Sequence, residues 1–441
     1  MPSLLYSWQQ QKPDTVALVA ADNQITWAQL YQQTSLYQSW LASQGVTVGD
    51  VVAVIGNNCL SSVLIYLACI ESGATFAPIA DGPQSVIEQK LATIDPVLVI
   101  DLKQDIDAHS YLDGTSSRYS QQALSSLIFT SGSSGFPKAV AHNHANHIAS
   151  AMGLLQRFKF EPHHSWLLSL PLYHVSGLSI IWRWLVAGAK LVMASGDLLI
   201  DLSRVTHASL VVTQLQRALN SGSPLILERV LLGGSHIPPE LCQQAQRHGI
   251  DTWLGYGMTE AASTVTAKRA DGNQGAGVVL PNRKLTIRGE RILIGGDTLA
   301  QGYYQQGRLN PIADKHGWFD SKDLGKIETD QLHVIGRADN QFISGGENIH
   351  CEEIEAVLAQ HPKVAQVVVI PMEDEEYGHR AIALIDAKQP WQEQEFEQWC
   401  LKHLDRFKRP KSYLSMPKLS LSGIKVSRHD LKAWLIRYLE N

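Results

Sequence analysis

Over the first 265 or so positions, apolar residues fall into short runs separated by stretches of helical periodicity. Thr26 and Gln29 form a T-x-x-Q capping box ahead of a stretch through Leu30 and Leu41, which predicts a helix. VVAVIG (51–56) reads as a buried strand, and 60–72 as a helix stopped by Gly73. The rhythm returns in VLVI (97–100), LIFT (127–130), LLSLPL (167–172), SLVVT (209–213) and RVLLGG (229–234). Helical stretches lie between the last two and over 238–248, the latter opened by Pro238–Pro239 and closed at Gly249. Alternation of this kind predicts parallel sheets covered by helices.

From about 278 to 336 the texture changes. KLTIRGERILIGG and GKIETDQLHVIG read as hairpins turning at Gly289–Glu290 and Thr329–Asp330, so a small β-rich subdomain is expected. After 340 the pattern is α+β: helices over 351–360, 393–404 and 428–439, with strands VAQVVVI (364–370) and AIALI (381–385). The polar stretch GRADN (336–340) marks the boundary. The predicted fold is α/β: a large N-terminal domain over 1–337, with parallel sheets under helices plus the β subdomain, and a small α+β C-terminal domain over 338–441.

Composition narrows the class. The 441 residues carry 42 acidic and 37 basic side chains, a net charge of −5, which gives no general attraction to nucleic acid or an anionic membrane. Only 18% are charged and 44% are hydrophobic, which fits a large enzyme core. The five cysteines, at 59, 69, 242, 351 and 400, include no C-x-x-C, which suits a reducing cytoplasm rather than a disulfide framework. The N-terminus has neither a basic n-region nor a long apolar run, so no secretory leader is expected. Arg183 and Lys190 interrupt the apolar stretch near 176–194, short of the ~20 residues a span needs.

Four segments carry chemistry. Thr130-Ser131-Gly132-Ser133-Ser134-Gly135-Phe136-Pro137-Lys138 follows an apolar strand and offers N–H and O–H donors, close backbone approach and a cation for an anion; a plain polar surface loop reads the same way. It is no Walker A loop, since Pro137 and Ala139 stand where Gly and Ser/Thr belong. Gly255-Tyr256-Gly257-Met258-Thr259-Glu260 offers a ring face for a base, a hydroxyl for phosphate and a carboxylate for Mg2+, or is simply a loop. Asp323, in WFDSKDLG ahead of Gly336-Arg337, suits ribose hydroxyls or a turn. Lys425, in GIKVSR, is a catalytic cation or a solvated terminal charge.

In this order and spacing, the four segments resemble the acyl-adenylate-forming superfamily of acyl-CoA synthetases, luciferases and peptide-synthetase adenylation domains, over essentially the whole chain. Among its subfamilies the chain is most similar to the one acting on o-succinylbenzoate in menaquinone biosynthesis. LLSLPLYHVSG (167–177), WRWL (182–185), THASLVVTQL (206–215), GYGMTEAASTV (255–265) and GIKVSRHDLK (423–432) carry that likeness, together with Ile424 before the lysine. The alternatives are another aryl- or acyl-CoA synthetase, or an adenylation enzyme that loads a carrier protein.

The resemblance implies an acyl-CoA synthetase-like fold with a mobile C-terminal lid. It implies ATP, Mg2+ and CoA, with o-succinylbenzoate as the acid, a homo-oligomer left open, no nucleic acid and no membrane insertion. ATP would be held by Thr130, Ser131, Gly132, Ser133, Ser134, Gly135 and Lys138, by Gly234 and Ser235 at the adenine edge, by Gly255, Tyr256, Gly257 and Thr259, and by Asp323 and Arg337. Lys425 would bridge the carboxylate and the α-phosphate, with Thr259, Glu260 and His174 as further catalytic residues and Glu260 on Mg2+. The acid would meet His174, Ser176, Gly177 and Thr264. Asp339 would be the hinge, and Gly345 and Gly346 would line the CoA channel. Lys322 stands where many relatives have Gly, which puts the geometry of that loop in question. Arg183 reads either as a counter-ion for a second carboxylate or as a structural Arg. His142, His144 and His147 read as a metal cluster or as ordinary core, and Cys351 as a reactive or a buried thiol.

Overall fold

The computed structural model describes residues 2–104, 106–108, 116–130, 137–233, 237–273, 275–344, 347–417 and 428–440. The chain forms two compact units, Met1–Leu285 with Ile294–Phe319, and Thr286–Leu293 with Asp320–Asn441. The β-rich stretch is shared between the units.

The first unit is built on two large sheets. One runs, in spatial order, Val278–Val279, Ser263–Arg269, Asp251–Met258, Arg229–Leu232, His207–Leu210, Ser165–Leu168, Lys190–Met193, Val16–Ala20 and Asn23–Thr26. The other runs Arg308–Asn310, Gly302–Gln305, Lys138–Asn143, Leu124–Thr130, Thr75–Ile79, Val51–Ile55 and Leu98–Asp101. Their central strands are parallel; both edges of the first sheet are antiparallel, whereas the second has one antiparallel edge and a parallel one at Leu98–Asp101. Helices Leu60–Ser72 and Val175–Ala187 are apolar nearly all round and correspondingly buried, Trp182 and Trp184 included.

Local signals are obeyed closely. Helix Trp27–Ser43 begins with the reciprocal Thr26–Gln29 capping box, and Leu60–Ser72 ends on Gly73 at φ 69°. Two apolar runs behave differently from the sequence reading. In LLSLPL only Ser165–Leu168 is strand; the loop beyond it is tied by Asn58, whose side chain donates to Leu170 O (2.8 Å) and accepts from Leu172 N (2.9 Å). In SLVVT the strand stops at Leu210, and Val212 opens helix Val212–Asn220, because Gln214 Oε1 caps the Val211 N–H at 3.1 Å.

The second unit holds strands Glu347–His350, Gln341–Ser344, Gly378–Ala387 and Val364–Asp374, with Ser412–Ser415 parallel to Gly378–Ala387. Helices Cys351–Leu358, Glu393–His403 and Arg428–Leu439 accompany them, near the spans expected. Both expected hairpin turns form, with positive φ at Gly289 and Glu290 and at Thr329 and Asp330, the two-residue type I′ pattern.

Candidate active site

Strands Leu124–Thr130 and Lys138–Asn143 are antiparallel, with Thr130 opposite Lys138. Ser131, Gly132, Ser133, Ser134 and Gly135 between them lie outside the described residues, as do Gly234, Ser235, Gly345, Gly346 and Lys425. Lys138 Nζ lies 5.1 Å from the ring centroid of Tyr303, and the Tyr303 hydroxyl donates to Glu260 Oε1 at 3.0 Å. Burial, and then the Glu260 charge, raise the phenol above its ordinary range, so it stays a donor. Cation, phenol and carboxylate thus converge. Tyr303 was not in the sequence reading, because GYY at 302–304 signals only a strand.

Thr259 and Glu260 sit on the 3-10 turn Thr259–Ala261. His142 Nε2 donates to Thr259 O at 2.8 Å, and Ala300 N donates to Glu260 O at 2.8 Å. His142 is buried, and burial pushes it down to about 4, so a neutral imidazole holds the turn. The other two histidines of the cluster face elsewhere: His144 to Ser120 O, His147 to Ser126 Oγ. Just before the turn, a Cβ on Gly257 would lie 1.9 Å from Ser263 O, so Gly257 lets its strand approach Ser263–Arg269 closely. Gly255 and Tyr256 lie on the same strand, Tyr256 opposite Thr266.

The acid-facing candidates gather around helix Val175–Ala187. His174 is its N-cap, with its ring 4.8 Å from that of Tyr173. Gly177 packs where a Cβ would meet Pro171 O at 2.1 Å. Ser176 and Arg183 are seven residues apart, two turns, and so share a helix face. Arg183 is 2% exposed and reaches Thr264 Oγ1 at 3.4 Å, while its Nε has no hydrogen-bond partner among the described residues. Its guanidinium lies 5.2 Å from the Trp166 ring. No carboxylate among the described residues pairs with it. Burial, and behind it the charge of Arg283, push it down to about 9, so it is still a cation at neutral pH.

In the second unit, Asp323 and Arg337 face each other across the hairpin Phe319–Glu328/Gln331–Arg337, with Arg337 Nη1 donating to Asp323 Oδ1 at 3.0 Å. Asp323 N donates to Ser321 Oγ, which donates to Ile292 O. Lys322 takes φ 62°, a left-handed conformation that glycine adopts at little cost. Asp339 lies in the 3-10 turn Ala338–Asn340, directly after Arg337. Cys351 is fully buried and burial pushes its thiol up to about 12, which makes it inert.

A single carboxylate beside a lysine and a phenol suits Mg2+, which takes one or two protein carboxylates and completes its shell from substrate phosphate and water. The Tyr303 hydroxyl donates to one oxygen of Glu260, Oε1.

Comparison with known proteins gives the family. The AMP-binding enzyme model matches residues 5–117 and 83–304, and the AMP-binding enzyme C-terminal domain model matches 353–423. A 2-succinylbenzoate–CoA ligase of Escherichia coli (strain K12) is 39% identical, with 98% of this chain and 97% of that protein covered. A variant of E. coli MenE with bound OSB-AMS superposes with a TM-score of 0.90 at 37% identity, over 99% of this chain and 98% of that one. The o-succinylbenzoate coenzyme A synthetase (MenE) from Bacillus subtilis in complex with ATP and magnesium ion gives 0.89 at 25% identity, over 98% and 99%. The chain belongs to the AMP-binding enzyme family, the acyl-adenylate-forming proteins.

Proposed function

We propose that this chain is an AMP-forming acid–thiol ligase that makes o-succinylbenzoyl-CoA from o-succinylbenzoate, ATP and CoA, in the cytoplasm, as a step of menaquinone biosynthesis. The relatives support the reaction class. The observation that carries the acid's identity is Arg183, a buried cation with an unfilled Nε–H and no acid partner among the described residues, next to Thr264. A buried unpaired guanidinium costs several kcal/mol, which an incoming carboxylate offsets. o-Succinylbenzoate has two carboxylates: one to be activated, and one on the ring that must stay inert. Arg183 and Thr264 are assigned to the ring carboxylate, with Ser176, Gly177 and His174 along the same helix start.

In the first half-reaction, a succinyl carboxylate oxygen attacks the α-phosphorus and the bond to the bridging oxygen breaks, so that pyrophosphate leaves. Both reactants are anionic, and the task is alignment and charge neutralisation. Lys425 is assigned to bridge them, Thr259 to the α-phosphate, the 130–138 segment to the outer phosphates, and Asp323 with Arg337 to the ribose. Tyr256, with Gly234 and Ser235, is assigned to adenine. Bound to Glu260, Mg2+ would offset phosphate charge. Tyr303 and His142 hold that carboxylate and its turn in place. In the second half-reaction, the CoA sulfur attacks the acyl carbon, the thiol proton is released and AMP departs. Rotation about Asp339 is assigned to remove Lys425 and to bring Gly345 and Gly346 to the pantetheine.

The test is a panel of acids with ATP and CoA, following AMP and thioester. Arg183→Ala is expected to lower kcat/KM for o-succinylbenzoate by about 10²-fold or more. Benzoylpropionate, the same acid without its ring carboxylate, should be little affected. A wild-type protein that treats both acids alike, or prefers a medium-chain fatty acid, removes the assignment of the acid while leaving the reaction class.

A further inference from the structure

We infer that Arg283 is a positioning residue for recognition of the acid, and that Gly153 is glycine in order to admit it. The inference rests on the Arg183–Thr264 assignment above and extends it to two residues that touch no substrate.

Arg283 opens strand Arg283–Arg288 yet is only 7% exposed. Its guanidinium points into the first unit and is saturated by neutral acceptors. Nε donates to Thr264 O (2.8 Å), Nη1 to Pro281 O (2.8 Å) and Ala149 O (3.5 Å), and Nη2 to Ser150 O (2.9 Å) and Ser150 Oγ (3.0 Å). The Ser150 hydroxyl in turn donates to Ala262 O at 2.5 Å. One side chain thus ties the carbonyls on both sides of Ser263 to helix His144–Phe158. Ala262 and Ser263 have φ of 50° and 91°, conformations that side chains disfavour by about 1–2 kcal/mol each and that persist only where surroundings impose them. What the buckle holds is Thr264, whose Oγ1 faces Arg183.

Gly153 lies inside helix His144–Phe158, where glycine costs about 1 kcal/mol relative to alanine. A Cβ there would lie 2.1 Å from Arg283 Nη1 and 2.3 Å from Pro281 O. The helix thus carries a weak residue at the point where the guanidinium crosses it. Thr264 is gripped twice, by its carbonyl from Arg283 and by its hydroxyl from Arg183. Two buried cations meet there, and no acid among the described residues neutralises either.

A core arginine with a purely structural role would affect every acid alike; a positioning role affects the dicarboxylate. Wild type, Arg283→Lys and Ser150→Ala are compared on o-succinylbenzoate and on benzoylpropionate, with ATP and CoA saturating. Lysine keeps the charge and loses the fork, so KM for o-succinylbenzoate should rise about tenfold or more, with benzoylpropionate and the KM for ATP within about threefold. Ser150→Ala removes one link of the buckle and should move selectivity the same way by about threefold. It carries the test if Arg283→Lys does not fold. Equal losses on both acids, or unchanged selectivity in the folded variants, overturns the inference while the Arg183 assignment stands. A wild type without preference for the dicarboxylate overturns both.

Discussion

Arg183 in the first unit is held in the opposite way to Arg337 and Arg428 in the second. Among the described residues, Arg183 has Thr264 Oγ1 and the face of Trp166, and its Nε–H has no partner. In the second, Arg337 is paired with Asp323, and Arg428 donates to Val369 O and pairs with Glu355 at 2.9 Å. Lys408, Lys363 and Lys411 are likewise matched to Glu353, Glu395 and Asp374. A matched ion pair is complete before any ligand arrives and adds little to stability at the surface. An unmatched cation in a dry interior is costly alone and becomes favourable when a specific anion fills it. Under the function proposed above, the comparison marks Arg183 as the cation that the ring carboxylate of the acid would complete. The second unit contributes its assigned groups, Lys425 and the hinge, to one half-reaction or the other.

That difference predicts how half-reactions separate. Lys425→Ala should lower pyrophosphate exchange by at least about 10²–10³-fold, the cost of one removed transition-state donor, while preformed acyl-adenylate still reacts with CoA. Arg183→Ala should instead weaken both steps, because the acid stays on the first unit throughout. If Lys425→Ala depressed both half-reactions together, the division of labour between the units would be wrong. Asp339→Pro tests the other side: exchange within about threefold of wild type and thioester formation down by about tenfold or more, since proline fixes φ at the hinge. A normal second step would remove the hinge.

How much of this could be read from the chain follows contact distance. The Thr26–Gln29 box, the Gly73 stop and the two type I′ turns are decided within four residues, and periodicity and turn chemistry reach them. The motif segments were legible as candidates for ATP because their spacing matches a known order. The role of Arg183 was not. Whether an acid packs against it depends on residues as far off as Thr264, and nothing local reports the answer. Arg283 and Gly153 were missed for the same reason, although a glycine within a helical stretch was a usable signal. Spacing groups His142 with His144 and His147 and by itself leaves a metal cluster and ordinary core both open. The fold turns each ring to a different partner. Val212 and Thr213 read as strand because β-branched residues favour it, and a cap from Gln214 overrode that preference.

Acid should also tell the units apart. His142 and His144 are pushed down to about 4 by burial, and His207 to about 3, all in the first unit. Because their folded values lie below the unfolded value of 6.5, the unfolded chain binds more protons in between. Stability from these groups is full above 6.5 and is lost as pH falls toward 4, about 3 kcal/mol for His142 alone. In the second unit, Asp374 and Glu395 are held below the usual carboxylate range by Lys411 and Lys363, so their contribution gives way only at lower pH. Segment-resolved hydrogen exchange between pH 7 and 4.5 should therefore show the first unit loosening first, and His142→Gln should reduce that loss. Parallel loosening of both units would mean that the buried histidines do not set the acid limit.

The smallest effect is expected at Lys322, in the second unit. Its φ of 62° places a side chain in a region that costs about 1 kcal/mol, and its neighbours accept the geometry: Asp320 Oδ1 takes the Lys322 N–H at 3.0 Å, and Ser321 Oγ takes the Asp323 N–H at 3.0 Å. Lys322→Gly removes the strain but gives the unfolded chain more freedom, and the two terms are of similar size. Stability should therefore change by less than about 1 kcal/mol and the KM for ATP by less than about twofold, read from urea denaturation and steady-state kinetics. Lys322→Val keeps a side chain but adds β-branching at a positive φ, where bulk is least tolerated. It should displace Asp323 and raise the KM for ATP several-fold more than Lys322→Gly does. If valine were as harmless as glycine, the φ at this position would not be what holds Asp323, and the matched Arg337 alone would suffice to place it.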